Sequence, residues 1–191
     1  MNIGILALQG DFLEHFVILQ SIGVVPSLVR LPKDLENLDG LIIPGGESTT
    51  IGKLAVAYHL IEPLREFAKV HAIWGTCAGA IFLSKDAMRE QPLLNLMDIQ
   101  VERNAFGRQA DSFEIDLTAP FLERGEEHPF HAVFIRAPII KSVSGEASVL
   151  LTIPDGRIVA AQQGKCLATS FHPELTSDTR FHQYFVELTK S

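Results

Sequence analysis

The sequence predicts an α/β fold built on a mostly parallel central sheet, and three observations point there. Short apolar runs alternate with amphipathic stretches through the first half of the chain, the pattern that lays helices over a parallel sheet. The second half has more strand character, with turn residues between its apolar runs. Hydrophobic residues make up 47% and charged residues 20%, close to the average for globular proteins and far from the composition that leaves chains disordered. The length of 191 residues fits one domain, residues 1–191, with no internal repeat or low-complexity linker.

Taken in order, Ile3 to Leu8 reads as a strand. Asp11 is placed to cap a helix running to about Ile22, with Phe12, Phe16 and Leu19 on its core face and Glu14, His15 and Gln20 on the other. Gly23 ends it. Val24 to Leu31 is a second strand, and Pro26, lacking a donor, places it at an edge or near a strand start. Leu41-Ile42-Ile43 is a third. Helices then follow through about Tyr58 and from Ile61 to Val70, leading into the strand His71 to Trp74. Later strands are expected near 98–103, 112–117, 131–135, 149–153, 158–163 and 166–171. Pro154-Asp155-Gly156 is a turn, and a last helix from Thr179 to Leu188 carries Phe181, Tyr184, Phe185 and Leu188 at core-facing spacing.

The net charge of −7 is spread along the chain, which argues against nucleic acid or an anionic membrane as partner. The N-terminus Met1 to Leu6 lacks signal-peptide features, no apolar run reaches a membrane-spanning length, and a cytoplasmic location is expected. Cys77 and Cys166 are expected to be free thiols, the seven histidines lack zinc-ligand spacing, and neither a metal nor a cofactor is called for.

The densest chemical signal is Gly75-Thr76-Cys77-Ala78-Gly79, between a buried strand and the apolar stretch Ala80 to Leu83. Glycine two positions either side of a nucleophile permits a sharp strand-to-helix turn that presents the central side chain. A helix N-terminus there favours thiolate over thiol. Read alone, the segment fits equally a small buried cysteine in a glycine-rich turn.

A nucleophilic cysteine needs a base, and the base needs an orienting acceptor. His172-Pro173-Glu174 supplies both, provided the segment is extended so that residues two apart share a side; by itself it would pass for a surface turn. Acyl transfer also needs donors for the tetrahedral oxyanion. The loop Pro44-Gly45-Gly46-Glu47-Ser48 follows a strand, and the backbone amides of Gly46 and Ala78 are the candidate pair. The loop has no Walker A ending. Cys166 has no such company and is read as packing.

The Pro-Gly-Gly-Glu-Ser loop, the Gly-Thr-Cys-Ala-Gly elbow and the late His-Pro-Glu together resemble the class I, triad-type glutamine amidotransferases. The opening Gly4 to Phe12, Gly45 to Thr50, Val101 with Arg103-Asn104 and Phe106-Gly107-Arg108-Gln109, Ser112-Phe113, and Phe134 to Pro138 narrow the resemblance to the glutaminase subunits of pyridoxal 5′-phosphate synthase. It spans nearly the whole chain.

The resemblance implies a Rossmann-like, flavodoxin-like three-layer α/β fold. It implies hydrolysis of L-glutamine to glutamate and ammonia, with ammonia channelled to a barrel-shaped synthase subunit. Carried over by position, Cys77 is the nucleophile and His172 with Glu174 completes the triad; Gly46, Glu47, Ser48, Arg103, Ile135 and Arg136 contact glutamine. An arginine fork suits the α-carboxylate. Gln9 is placed near the synthase interface and the oxyanion region.

Overall fold

The computed structural model describes residues 1–103 and 112–190. The motif positions Asn104 and Phe106 to Gln109 therefore lie outside the described residues. The N-terminal half alternates as expected: β1 (Asn2–Leu6), α1 (Phe12–Ser21), β2 (Val25–Val29), β3 (Gly40–Ile43), α2 (Ser48–Ala57), α3 (Ile61–Ala68), β4 (Ala72–Thr76) and α4 (Ala78–Leu83). Then come β5 (Ser84–Asp86), β6 (Met97–Glu102), β7 (Ser112–Leu117), β8 (Phe130–Ile135), β9 (Ile139–Val143), β10 (Ser148–Thr152), β11 (Ile158–Gln163), β12 (Cys166–Thr169) and α5 (Arg180–Lys190).

The main sheet runs β2-β1-β3-β4-β12-β11-β9-β6-β5, with β10 beside β11. Its first five strands are parallel, and the antiparallel pairings follow from β11 through β9 to β6. Pro26 sits in β2 at the sheet's edge, where its missing N–H costs no ladder bond. A separate two-stranded ribbon pairs β7 with β8.

Side-chain alternation along the central strands divides the core into two layers. Leu41, Ile43 and Ile73 face one cluster with Ile51 and Ala55 of α2, Leu64 and Phe67 of α3 and Phe82 of α4. Ile42, Ala72 and Trp74 face the other, with Leu19 of α1, Phe181 and Phe185 of α5 and Phe130 and Phe134 of the ribbon. Each of the buried leucines, isoleucines and phenylalanines among them contributes about 1.5–3 kcal/mol by leaving water. These are the three layers of the expected α/β fold, and its parallel strands β1, β3, β4 and β12 all deliver their C-terminal ends to one place.

Four local expectations need correction. Glu14 is exposed, but His15 is fully buried, because it lies four residues before Leu19 and so shares its face. Asp11 occupies the cap position of α1 without a capping hydrogen bond from its side chain. The segment after His172 is not extended: Pro173–Leu175 forms a short 3₁₀ turn, with Pro173 at its first position, where a fixed φ suits helical backbone. Strands β5 and β9 were not anticipated. Gly23, with φ of 78°, does end α1.

Candidate active site

Ile43 and Thr76 end neighbouring parallel strands, and the chain beyond each turns sharply. Cys77 adopts φ 47°, ψ −103°, a backbone conformation that L-residues occupy only when their surroundings enforce it. The enforcement is visible. Its N–H donates to the carbonyl of Thr169 at 2.8 Å. A Cβ on Gly75 would lie 2.4 Å from the Gly79 carbonyl carbon, and one on Gly79 only 2.0 Å from the Ile43 carbonyl oxygen. Both glycines are needed for the strand and helix to approach this closely, as the elbow pattern implies. Ala78 opens α4, whose first amides have no acceptor within the helix.

His172 follows the end of β12, the strand next to β4, and its Nδ1 lies 2.6 Å from Glu174 Oε1. Both residues are buried. The 3₁₀ turn, rather than alternation along an extended strand, folds Glu174 back onto the ring. Burial disfavours the charged imidazole, yet hydrogen bonding and attraction from Cys77 and Glu174 outweigh it and carry the His172 pKa up to about 10. The imidazole is thus shared between thiol and carboxylate. Burial raises the pKa of Glu174, against the opposing hydrogen bond from His172.

The cavity in front of Cys77 holds about 360 Å³ and is lined by Gln9, Gly46, Glu47, Ser48, Cys77, Ala78, Arg103, Ile135, Arg136 and His172, among others. All the residues singled out from sequence reach it except Glu174, which lies behind His172. Glu47 pairs with Arg103 at 2.8 Å and accepts from Thr49 Oγ1 at 2.5 Å. The Thr49 hydroxyl and the Arg103 guanidinium hold its carboxylate below the usual range. Ser48, the first residue of α2, is buried with its hydroxyl 3.3 Å from Gln91 Oε1. Ile135 ends β8, and Arg136 follows with φ of 45°. Gly46 has φ of 151°. Gln9 Oε1 accepts from the Glu47 amide at 2.6 Å, and a Cβ on Gly46 would lie 2.5 Å from it.

A cysteine, an imidazole and a carboxylate stand in file at the C-terminal ends of parallel strands, an arrangement compatible with acyl transfer through a thiolate. Residues 5–191 match the SNO glutamine amidotransferase family. The chain belongs to that family. Members similar to it include a protein of Herpetosiphon aurantiacus, 56% identical over 98% of this chain and 100% of its own length. Another, from Roseiflexus sp., is 53% identical over 98% of this chain and its whole length. Both are named pyridoxal 5′-phosphate synthase subunit PdxT. A solved structure described as a glutamine amidotransferase superposes with a TM-score of 0.92 at 48% identity, covering 99% of both chains. Membership in the SNO family bears out the resemblance read from the Gly-Thr-Cys-Ala-Gly and His-Pro-Glu motifs, and with it the fold and the enzyme class.

The site also gives contacts to two motif residues to which the sequence assigns no role there. Asp11 Oδ2 lies 3.6 Å from His172 Nδ1, and Asp11, His172 and Glu174 each offer a ligand atom within 4.8 Å of the others. Both carboxylates face the same ring nitrogen, and Glu174 holds it at 2.6 Å. Thr49 donates to Glu47 from both its amide and its hydroxyl. Among the described residues no helix is long and apolar enough to cross a membrane. Cys166 lies against the apolar core, where burial pushes its thiol up to about 11.

Proposed function

We propose that the chain is a single glutaminase domain that hydrolyses L-glutamine to L-glutamate and ammonia, and that it acts in the cytoplasm as the ammonia-supplying subunit of pyridoxal 5′-phosphate synthase. The observation that carries this reading is the His172 imidazole engaged by Cys77 on one side and by Glu174 at 2.6 Å on the other. The cavity supports the substrate. It sets Asp11 and Glu47 alongside Arg103 and Arg136, both signs of charge that an α-amino acid carries. The arginines suit its carboxylate, Glu47, Ser48 and Ile135 its remaining contacts.

The chemistry follows from the placement. Cys77 Sγ, deprotonated by His172, attacks the side-chain carbonyl carbon of glutamine. Backbone amides of Gly46 and Ala78 stabilise the tetrahedral oxyanion. The C–N bond breaks as imidazolium protonates the leaving nitrogen, giving ammonia and a γ-glutamyl thioester. Water, deprotonated by His172, then attacks the thioester; glutamate leaves and the thiol is restored. Glu174 holds the imidazole in the tautomer that can accept and return this proton.

Ammonia passes by a channel to the barrel-shaped synthase subunit. Turnover without that partner is weak, because Gln9 holds the Glu47 amide and a flexible Gly45-Gly46 must present the oxyanion donor. Measuring ammonia release from glutamine with and without the synthase subunit tests this: a rise of at least about tenfold on adding the partner is expected, and equal rates refute the partner's role. Turnover of γ-glutamyl peptides in preference to free glutamine would instead make the chain a different triad hydrolase.

A further inference from the structure

Behind the triad lies a second row of polar side chains in an otherwise apolar layer. Glu174 uses one carboxylate oxygen on His172; the other, Oε2, is buried and has no hydrogen-bond partner among the described residues. His15 Nε2 stands 3.4 Å from it, with Thr76 Oγ1 3.3 Å from the same nitrogen. On its far side His15 Nδ1 lies 2.9 Å from His182 Nε2. Both histidines are fully buried, against the indole ring of Trp74. Among the described residues His182 Nδ1 has no hydrogen-bond partner.

The hydrogen-bond geometry constrains the tautomers of this row. Only one proton fits between His15 Nδ1 and His182 Nε2. If His15 supplied it, the Nε2 lone pair of His15 would face the Glu174 carboxylate, and His182 would carry a buried N–H with no acceptor. If His182 supplies it, His15 carries its proton on Nε2, toward Glu174 and Thr76, and the unpartnered His182 Nδ1 is a bare lone pair. The second arrangement removes the repulsion between a lone pair and a carboxylate in a low-dielectric interior. Neither ring takes a second proton readily: burial and the neighbouring histidines depress His15, and burial takes His182 down to about 3.

We propose that His15, locked by His182 into the Nε2–H tautomer, is a positioning residue that donates to Glu174 Oε2. It thereby keeps the buried carboxylate ionised and aimed at His172. Hydrogen bonds in catalytic assemblies are often long before substrate binds and tighten during reaction, so the 3.4 Å contact shortens as His172 becomes imidazolium. The triad is then a row of five side chains, Cys77, His172, Glu174, His15 and His182. This inference rests on the glutaminase reading, and its test separates the two.

Two substitutions at each position distinguish positioning from packing. His15→Phe keeps the ring and removes the donor, while His15→Gln restores an N–H near the Nε2 position. With the synthase subunit present, His15→Phe is expected to lower kcat for glutamine about 10- to 100-fold, with KM changed less than about threefold. The acid limb of its pH–rate profile moves to higher pH, because an undonated Glu174 protonates more easily. His15→Gln recovers most of kcat. His182→Phe and His182→Gln show the same pattern more weakly, and they decide the matter if His15→Phe does not fold. Nitrogen-15 NMR of the histidine-labelled wild-type protein reads the tautomer without any assay, with His15 protonated on Nε2.

Equal loss in the Phe and Gln variants, an unmoved acid limb, or a His15 proton on Nδ1 would overturn the proposal. Failure of the wild-type protein to turn over glutamine would instead overturn the glutaminase reading, leaving the tautomer measurement standing.

Discussion

Cys77 and Cys166 are the same residue at opposite ends of two adjacent strands, each 7% exposed. Cys166 begins β12 in extended backbone, beside Ile73, and burial pushes its thiol up to about 11. Cys77 lies just beyond β4 in left-handed backbone, with His172 against it and Glu174 behind. Equal burial thus leaves the two cysteines in different surroundings. The difference lies in the strand end, because the C-terminal ends of β1, β3, β4 and β12 converge with their loops, whereas their N-terminal ends carry ordinary packing.

The largest expected effect breaks that comparison outright. Cys77→Ala lowers glutamine turnover by at least about 10⁴-fold, while Cys166→Ala stays within about twofold, both with folded circular dichroism spectra. A Cys166→Ala variant as impaired as Cys77→Ala would show that the two sites had been misassigned. A smaller contrast is expected in alkylation by iodoacetamide near pH 8. With its pKa at about 11, Cys166 holds a thiolate fraction on the order of 10⁻³. Peptide mapping should find Cys77 labelled first and glutamine protecting it alone.

The smallest effect concerns stability. His182 is held neutral by burial, its pKa down from 6.5 to about 3. Between those values the unfolded chain binds a proton that the folded chain does not, so stability falls as pH drops through that window. The slope approaches about 1.4 kcal/mol per pH unit for this group, and His15 adds in the same direction. Urea unfolding of wild type and His182→Phe at pH 7 and pH 5 should show the gap between them narrowing or reversing at the lower pH. An identical pH slope in both would mean that His182 does not carry this effect.

Much of the candidate site was legible because its residues sit in short motifs at strand ends. Gly75 and Gly79 announce a close approach, and the collisions that a Cβ would make there, at 2.4 and 2.0 Å, show why. His172 and Glu174 were paired by role, but their geometry was misread: Pro173 can begin a 3₁₀ turn as readily as extend a strand. His15 was not legible as a partner of the site because its polarity suggests the outer face, and His182 carries no motif that singles it out. The signal was present in spacing, since His15 stands four residues before Leu19 and His182 three before Phe185, both on core faces. Strand β9 escaped notice because Ile139 and Ile140 are buried together and Lys141 and Ser142 exposed together, which breaks the period of two. Pairing with β6 and β11 makes it a strand, and no local pattern reports that.

The central claim is that Cys77 carries the acyl group. Acid-quenching the enzyme during steady-state glutamine turnover with the synthase subunit, then mapping its peptides by mass spectrometry, tests it most directly. A γ-glutamyl adduct on the peptide containing Cys77, absent from the Cys77→Ala variant, is the result the structure predicts. An adduct on Cys166, or undiminished turnover by Cys77→Ala, would contradict it.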